Sequence, residues 1–298
     1  MAEKSDITLY TTQTPNGIKI SIALEELGFV SPLPPPPPPP SPLILSFSSS
    51  LLPSHHTPYS WLYVNTHAAH RLPYKVHKIT FSKNEQKQPW FLEINPNGRI
   101  PALTDRFDDG ETIRLFESGS IMLYLVKRYD TEHKISYPEG SREWFEMVNW
   151  LFFQNAGVGP MQGQANHFTK YAPERIEYGI NRYTTETRRL YGVLEKHLSD
   201  KKSSYLVGEK CTIADIAHWG WVTGAGWCEI NIDGFPTLKA WEERMAARPG
   251  VEKGRHVPDP HTIKELLKDS AAVAKAAAES RAWVQMGMKE DAEKHSQK

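Results

Sequence analysis

The chain has 298 residues, of which 35 are Lys or Arg and 35 are Asp or Glu, so its formal net charge is zero. A balanced chain without a Lys- or Arg-rich block lacks the basic surface that duplex nucleic acid requires, which argues against a nucleic-acid partner. No apolar run approaches the roughly 18 residues of a membrane-spanning helix, and the charged N-terminus does not resemble a signal peptide, so no membrane association is expected.

The number and spacing of the cysteines and histidines limit which disulfide and metal sites are possible. The two cysteines, Cys211 and Cys228, are far apart in sequence, which excludes a disulfide framework and a zinc cluster. None of the 12 histidines has a metal-binding spacing. We therefore expect a soluble, cytoplasmic protein that uses neither a metal nor a nucleotide.

Proline is concentrated in one stretch of the chain. Of the 23 prolines, 11 lie between Phe29 and Arg71, including an unbroken run at 34–40. Because proline lacks a backbone donor and has a fixed φ, the stretch is predicted to be disordered or polyproline-like. An SH3- or WW-type ligand is an alternative, although no Lys or Arg flanks the PxxP units. Removing 29–71 leaves a normal helix-to-strand loop, so we interpret it as an insertion, for example a retained intron translated in frame.

The residues on either side of this insertion predict a small α/β domain over 1–130. Alternating apolar residues predict four strands, around residues 7–9, 74–80, 101–104 and 112–115. Apolar residues at helical spacing predict one helix that ends at Gly28 and another that begins near Glu117. The resulting order is β-α-β followed by β-β-α.

Strand signals vanish after about Arg142, which predicts an all-helical second domain over 138–258. Helical spacing is found at 143–153, 176–198, 212–221 and 235–249. Thr212 and Asp215 have the spacing of a capping box, which marks the start of the third of these helices. Residues 259–298 are predicted to be a charged helical tail with an apolar stripe too narrow to predict docking.

Three ordered segments resemble the signature segments of cytosolic glutathione transferases. They are TTQTPNG at 11–17, NPNGRIPAL at 95–103 and FESGSI at 116–121. The segments at 150–154 and 160–164 are similar to the nu-class and fungal nitrogen-regulator (yeast prion-protein-like) branch. The resemblance covers about 7–249 apart from the insertion. It implies a thioredoxin-like glutathione-binding domain followed by a helical bundle domain that supplies a second-substrate pocket.

The thiol end of glutathione is expected at the start of the first helix. The side-chain amide of Asn16, with Thr14 and the helix dipole, is suited to stabilising a sulfur anion. In the resembled branch an Asn stands here, where other classes use Tyr, Ser or Cys. An alternative is that Thr14 and Asn16 only cap the helix, since both residue types favour that position.

The resemblance also implies where the middle and glycyl parts of glutathione bind. The bond between Ile100 and Pro101 is expected to be cis, which exposes the backbone N–H and C=O of Ile100 to the cysteinyl residue. Arg99 is a candidate for a glutathione carboxylate. Gln86 matches the position in this branch that reaches the glycyl carboxylate.

The γ-glutamyl group is expected at the start of the second predicted helix. Ser118 and its backbone N–H are placed to bind the γ-glutamyl carboxylate, and Glu117 the ammonium. A simple capping pair would have the same geometry. Phe152 is a candidate for the wall of the second-substrate site, although the aromatic residues around it are typical of core and dimer contacts. His167 is interpreted as structural.

The implied activity is that of a homodimeric enzyme using the glutathione thiolate. It would conjugate small electrophiles or reduce disulfides and peroxides. The alternative is a non-catalytic regulatory or binding protein that keeps the same fold.

Overall fold

The computed structural model describes residues 5–31 and 72–296. Most of the predicted insertion, at 32–71, lies outside the described residues. Within the described part of the chain, no helix combines the length and the hydrophobicity of a membrane span.

The N-terminal domain is built on a four-stranded sheet. Its strands are β1 (Thr8–Thr11), β2 (Lys75–Lys78), β3 (Ala102–Arg106) and β4 (Thr112–Phe116). Their order is β2-β1-β3-β4, with β1 parallel to β2, antiparallel to β3, and β3 antiparallel to β4. The helices of this domain are α1 (Gly17–Glu26), α2 (Pro89–Leu92) and α3 (Ser118–Tyr129). The predicted β-α-β and β-β-α order is confirmed.

Helix α1 is the most deeply buried element of this domain. All of its residues from Gly17 to Leu24 are buried. A helix buried on every side needs apolar residues all around, which explains its run of isoleucines. It packs against α3 and against the helical domain.

The C-terminal domain is entirely helical in its described residues, as predicted. Its helices are α4 (Arg142–Phe153), α5 (Gly159–Asn166), α6 (Glu177–Lys201), α7 (Ile213–Val222), α8 (Pro236–Ala246), α9 (Pro249–Gly254), α10 (Ile263–Leu266) and α11 (Ser270–Ser296). π-helical turns at Gln154–Val158 and His167–Tyr171 flank α5. The first of them is the predicted interruption near Gly157 and Pro160.

The predicted capping box at the start of α7 is present. The Thr212 hydroxyl oxygen accepts from the Ala214 N–H (3.3 Å), and the Asp215 carboxylate accepts from the Thr212 N–H (2.9 Å). Asp215 is fully buried and also accepts from the Trp241 indole (2.9 Å). One carboxylate therefore fixes both the start of α7 and its packing on α8.

The C-terminal tail docks on both domains, which the sequence did not predict. Trp283 of α11 stacks on Phe81 of the N-terminal domain, with ring centroids 4.7 Å apart. The Arg281 guanidinium donates to the Lys170 carbonyl (3.1 Å) in the helical domain. Because a few large side chains make these contacts, the helix can dock with only a narrow apolar stripe.

The predicted start of the insertion at Phe29 was wrong. Phe29 is 5% exposed and packs edge-on against Tyr129 (5.2 Å) in the main core. Val30 pairs in parallel with Pro73, and its N–H donates to the Leu72 carbonyl (3.1 Å). The sequence composition placed the boundary directly after the predicted helix end at Gly28, whereas the packed fold continues through Phe29 and Val30.

We predict that residues 32–71 can be replaced without loss of stability, provided that Phe29 is kept. The parallel pairing of Val30 with Pro73 requires a crossover, so a linker of about a dozen Gly and Ser residues is needed to span it. The shorter loop should raise the free energy of unfolding by about 1–2 kcal/mol. Adding Phe29→Ala to this variant should lower that free energy by about 3 kcal/mol. Urea denaturation measures both; a loss of stability in the linker variant itself would mean that 32–71 supports the fold.

Candidate active site

A cleft of about 1000 Å³ lies between the two domains. Six of the eight predicted site residues line it, from four separate segments of the chain: Thr14, Asn16, Gln86, Arg99, Ile100 and Glu117. The remaining two, Pro101 and Ser118, are buried directly beside lining residues. The structure therefore brings the predicted residues together.

Asn16 is held in one orientation by the helical domain. Its side chain makes no capping hydrogen bond, and its Oδ1 accepts from the Trp221 indole Nε1 (3.0 Å). Because an indole only donates, the atom that faces it must be the amide oxygen. The Nδ2 group of Asn16, two N–H donors, has no partner among residues 5–31 and 72–296 and remains for a ligand in the cleft.

Thr14 has the capping role that sequence analysis left open. Its Oγ1 accepts from the Gly17 N–H (2.9 Å) at the first turn of α1. The hydroxyl proton is not used by this bond and is available to an acceptor in the cleft. The capping alternative thus holds for Thr14 and fails for Asn16.

The loop before β3 presents its backbone to the cleft. The Ile100–Pro101 peptide bond is cis, as expected, and Ile100 lines the cleft. Neither the N–H nor the C=O of Ile100 has a backbone partner in the described chain. Arg99 is exposed at the same edge.

Asn95 organises this loop and was missed as a site residue. It is buried, and its Nδ2 donates to the Arg99 carbonyl (2.6 Å) while its Oδ1 accepts from the Asn97 N–H (3.0 Å). Gly98 has φ +61°, and a Cβ there would lie 2.9 Å from the Gln86 carbonyl oxygen. The Asn-Pro-Asn-Gly turn could have revealed this role, because Asn side chains commonly hydrogen-bond the backbone of their own turn.

Gln86 closes the far end of the cleft. It is buried, and its Nε2 donates to Asn84 Oδ1 (2.7 Å), which leaves one amide N–H for a ligand. Lys87 lines the cleft next to it and was not predicted. Together with Arg99 it gives this end a positive charge.

The start of α3 combines a strained residue with a buried hydroxyl. Glu117 has φ 66° and ψ 116°, a conformation that costs a non-glycine residue on the order of 1–3 kcal/mol. Its exposed carboxylate makes no capping bond and lines the cleft. Ser118 is buried, and its Oγ accepts from the Lys19 ammonium (3.1 Å). Strain of this kind is expected where backbone geometry serves a ligand.

Lys19 is a buried cation that sequence analysis did not single out. It is 1% exposed on α1, and besides Ser118 it donates to Gln154 Oε1 (2.5 Å). Burial lowers the pKa of this ammonium to about 7, opposed by the charge of Glu117. The sequence did contain a signal for this site, because Lys19 is a lysine within a helix that is otherwise rich in isoleucine.

The remaining wall of the cleft is aromatic and apolar. It is formed by Phe81, His167, Tyr171, Trp221, Trp283 and Met286. Tyr171 is fixed by the Trp227 indole, which donates to its hydroxyl (2.7 Å). Phe152, a candidate for this wall, does not line the cleft and is 58% exposed on α4, so that prediction was wrong.

Comparison with known proteins identifies the family. The model of the glutathione S-transferase N-terminal domain matches residues 58–128, and that of the C-terminal domain matches residues 158–249. The disulfide-bond oxidoreductase YfcG of Escherichia coli is 43% identical over 182 residues, covering 60% of this chain and 82% of YfcG. The chain belongs to the glutathione S-transferase family.

Solved structures of this glutathione S-transferase family share the fold. A glutathione transferase homolog from Lodderomyces elongisporus, solved with two GSH per subunit, is 41% identical with a TM-score of 0.67, covering 85% of this chain and 99% of that one. Ure2p in complex with S-hexylglutathione is 31% identical with a TM-score of 0.65, covering 84% and 98%. The predicted family, branch and fold are confirmed.

Proposed function

We propose that this glutathione S-transferase family member is a glutathione-dependent enzyme in which the Asn16 amide stabilises the glutathione thiolate. The observation that carries the proposal is the bond from Trp221 to Asn16 Oδ1, which leaves both amide N–H donors for a ligand. A hydrogen bond to a charged group contributes about 1.5–3 kcal/mol, enough to lower a thiol pKa by one to two units. The Thr14 hydroxyl and the dipole of α1 act in the same direction.

The protein's own thiols are unsuited to this chemistry. Cys211 and Cys228 are both buried, and burial raises the pKa of Cys211 well above its usual value and that of Cys228 to about 12. A reactive sulfur must be a thiolate at neutral pH. Glutathione, as co-substrate, supplies it.

The rest of glutathione is proposed to bind along the N-terminal domain, over 1–130. The Ile100 backbone pairs with the cysteinyl residue, and Gln86, Lys87 and Arg99 face the glycyl carboxylate. At the other end, Glu117 binds the ammonium of the γ-glutamyl group and Ser118 its carboxylate. The unpaired backbone groups of Ile100 and the positive charge near Gln86 support this orientation.

Two reactions follow from a stabilised thiolate. In conjugation, the sulfur forms a bond to an electrophilic carbon, and the leaving group departs with its electron pair. In disulfide reduction, the thiolate attacks one sulfur and expels the other as a thiolate; a second glutathione thiolate then attacks the mixed disulfide and releases glutathione disulfide. The Lodderomyces elongisporus homolog, solved with two GSH per subunit, supports the second reaction. A reducing cytoplasm, the proposed location, maintains the thiol.

The second substrate is proposed to be a small apolar electrophile or an organic disulfide. It would contact the helical domain, 138–258, and the tail, 259–298, which closes the cleft. Phe81 and Trp283, which stack on each other, line the cleft there together with Tyr171. An aromatic wall favours aromatic or aliphatic groups over charged ones.

A homodimer is proposed from the unpartnered face of α4. Phe145 and Phe152 are 59% and 58% exposed. They are seven residues apart, so they lie on the same face of the helix. Exposed aromatic side chains grouped in this way are typical of protein interfaces.

Asn16→Ala should lower kcat/KM for glutathione about 30-fold, the loss expected from one hydrogen bond to a charged group. Trp221→Phe should lower it about 10-fold, because Asn16 is retained but no longer held. Trp219→Phe, on the same helix without contact to Asn16, is the control and should keep the activity per folded molecule. The assays are reduction of hydroxyethyl disulfide and conjugation of an aromatic electrophile, with glutathione binding measured by calorimetry. Unchanged turnover in Asn16→Ala would refute the role of Asn16, and binding without any turnover would favour the regulatory alternative.

Trp283→Ala should raise the KM for an apolar second substrate about 5-fold or more, because it removes an aromatic contact surface. The KM for glutathione should not change. Lys275→Ala on the same helix is the matched control, since Lys275 does not line the cleft. If the KM for glutathione and the KM for the second substrate change equally, Trp283 does not act specifically on the second substrate.

Phe152→Asp should convert the dimer to a monomer by placing a charge in the proposed apolar interface. Sedimentation velocity over a range of protein concentrations measures the change. Tyr178→Asp, at an 81% exposed position on α6, is the control and should leave the dimer intact. A dimer that persists in Phe152→Asp would exclude this face of α4.

A further inference from the structure

Lys19 has an unusual environment for a positive charge. Its ammonium donates to two neutral acceptors, Ser118 Oγ (3.1 Å) and Gln154 Oε1 (2.5 Å). In residues 5–31 and 72–296, no acidic side chain forms an ion pair with it. Burying an ion without a counter-ion costs several kcal/mol, so such a group is rarely retained for stability alone.

Three elements pack around this ammonium, and their charges do not neutralise it. Directly before α3, Glu117 is the acidic residue whose charge acts on Lys19, but its side chain is exposed in the cleft. The π-helical turn contributes Gln154, which is neutral. From α7, His218 is fully buried, and burial lowers its pKa to about 3, so it is neutral as well. The uncompensated charge lies behind the N-terminus of α3, whose dipole adds to the positive potential.

The hydrogen-bond direction between Lys19 and Ser118 follows from their chemistry. An ammonium has no acceptor, so Ser118 Oγ must accept from Lys19. The Ser118 hydroxyl proton is then free to donate to a third group. A hydroxyl that accepts from a cation is also a stronger donor, because consecutive hydrogen bonds polarise one another.

We propose that Lys19 is a positioning residue for glutathione: it supplies the missing positive charge for the α-carboxylate of the γ-glutamyl group and acts on it through the Ser118 hydroxyl. This inference rests on the proposed function, because it takes the carboxylate to bind at the start of α3. The carboxylate is then the counter-ion that the free protein lacks. Glu117 pairs with the neighbouring ammonium of the same ligand.

The role of Lys19 has a consequence for pH dependence. With a pKa near 7 in the free protein, Lys19 is charged below neutral pH and loses its proton as the pH rises. A bound carboxylate favours the charged form and raises this pKa. Affinity therefore falls as the pH rises above 7, by up to tenfold per pH unit until the pKa of the complex is reached. His218 stays neutral over this range and does not contribute.

The test uses S-methylglutathione, which has no titrating thiol, and two S-methylated analogues. One contains 4-aminobutyrate in place of the γ-glutamyl group and lacks the α-carboxylate; the other contains glutarate and lacks only the ammonium. Calorimetry between about pH 6 and about pH 8.5 should show that wild-type affinity for S-methylglutathione and for the glutarate analogue decreases as the pH rises. The glutarate analogue has no amine to titrate in this range, so its decrease reports the protein. Affinity for the aminobutyrate analogue should be weaker and independent of pH.

The variant Lys19→Met keeps the side-chain length without the charge. It should bind S-methylglutathione and the glutarate analogue about 10-fold more weakly at pH 6, should show no pH dependence for the glutarate analogue, and should bind the aminobutyrate analogue as the wild type does. If Lys19 acts through Ser118, the double variant Lys19→Met/Ser118→Ala should lose less binding free energy than the two single variants lose together.

Two outcomes would overturn the role of Lys19. One is an equal loss for all three ligands in Lys19→Met, which would mark a general structural role. The other is the same pH dependence for both wild-type analogues, a measurement that needs no variant and stands even if Lys19→Met fails to fold. Failure of the wild-type chain to bind S-methylglutathione at any pH is a different result, because it overturns the proposed function itself.

Discussion

The close approach of α7 to the turn before α1 is the contact on which the cleft depends. A Cβ at Gly220 would lie 2.7 Å from the Pro15 carbonyl oxygen, so only glycine permits this distance. The next residue, Trp221, can then reach across the domain boundary to Asn16. The helical domain thereby orients the side chain proposed to bind the thiolate.

Helix α1 links both ends of the proposed ligand. Asn16 precedes its first turn, and Lys19 follows within that turn, on the side that meets α3. An uncompensated buried ammonium and a strained Glu117 both lower the stability of the free fold. Features that cost stability and lie at a cleft or directly behind its wall are expected of a binding site, where function rather than stability selects the residue.

Local patterns predicted the elements well, since strand alternation, helical spacing and the Thr212–Asp215 capping box depend on neighbours in sequence. The cis Ile100–Pro101 bond and the clustering of the site residues followed from the family resemblance. The sequence did not reveal that Trp221 binds Asn16, because the two are about 200 residues apart and no local rule relates them. The same reason applies to the docking of Trp283 on Phe81. The boundary at Phe29 was misplaced because composition shows only that a proline-rich stretch follows, whereas packing continues to a particular side chain.

The central claim is that the Asn16 amide, held by Trp221, stabilises a thiolate. The most direct measurement is the pKa of the thiol of protein-bound glutathione, followed by the ultraviolet absorbance of the thiolate during a pH titration. The wild-type complex should show a thiol pKa one to two units below that of free glutathione, and Asn16→Ala should restore the free value. An equally lowered pKa in both complexes would contradict the claim and assign the thiolate to the helix dipole and Thr14 alone.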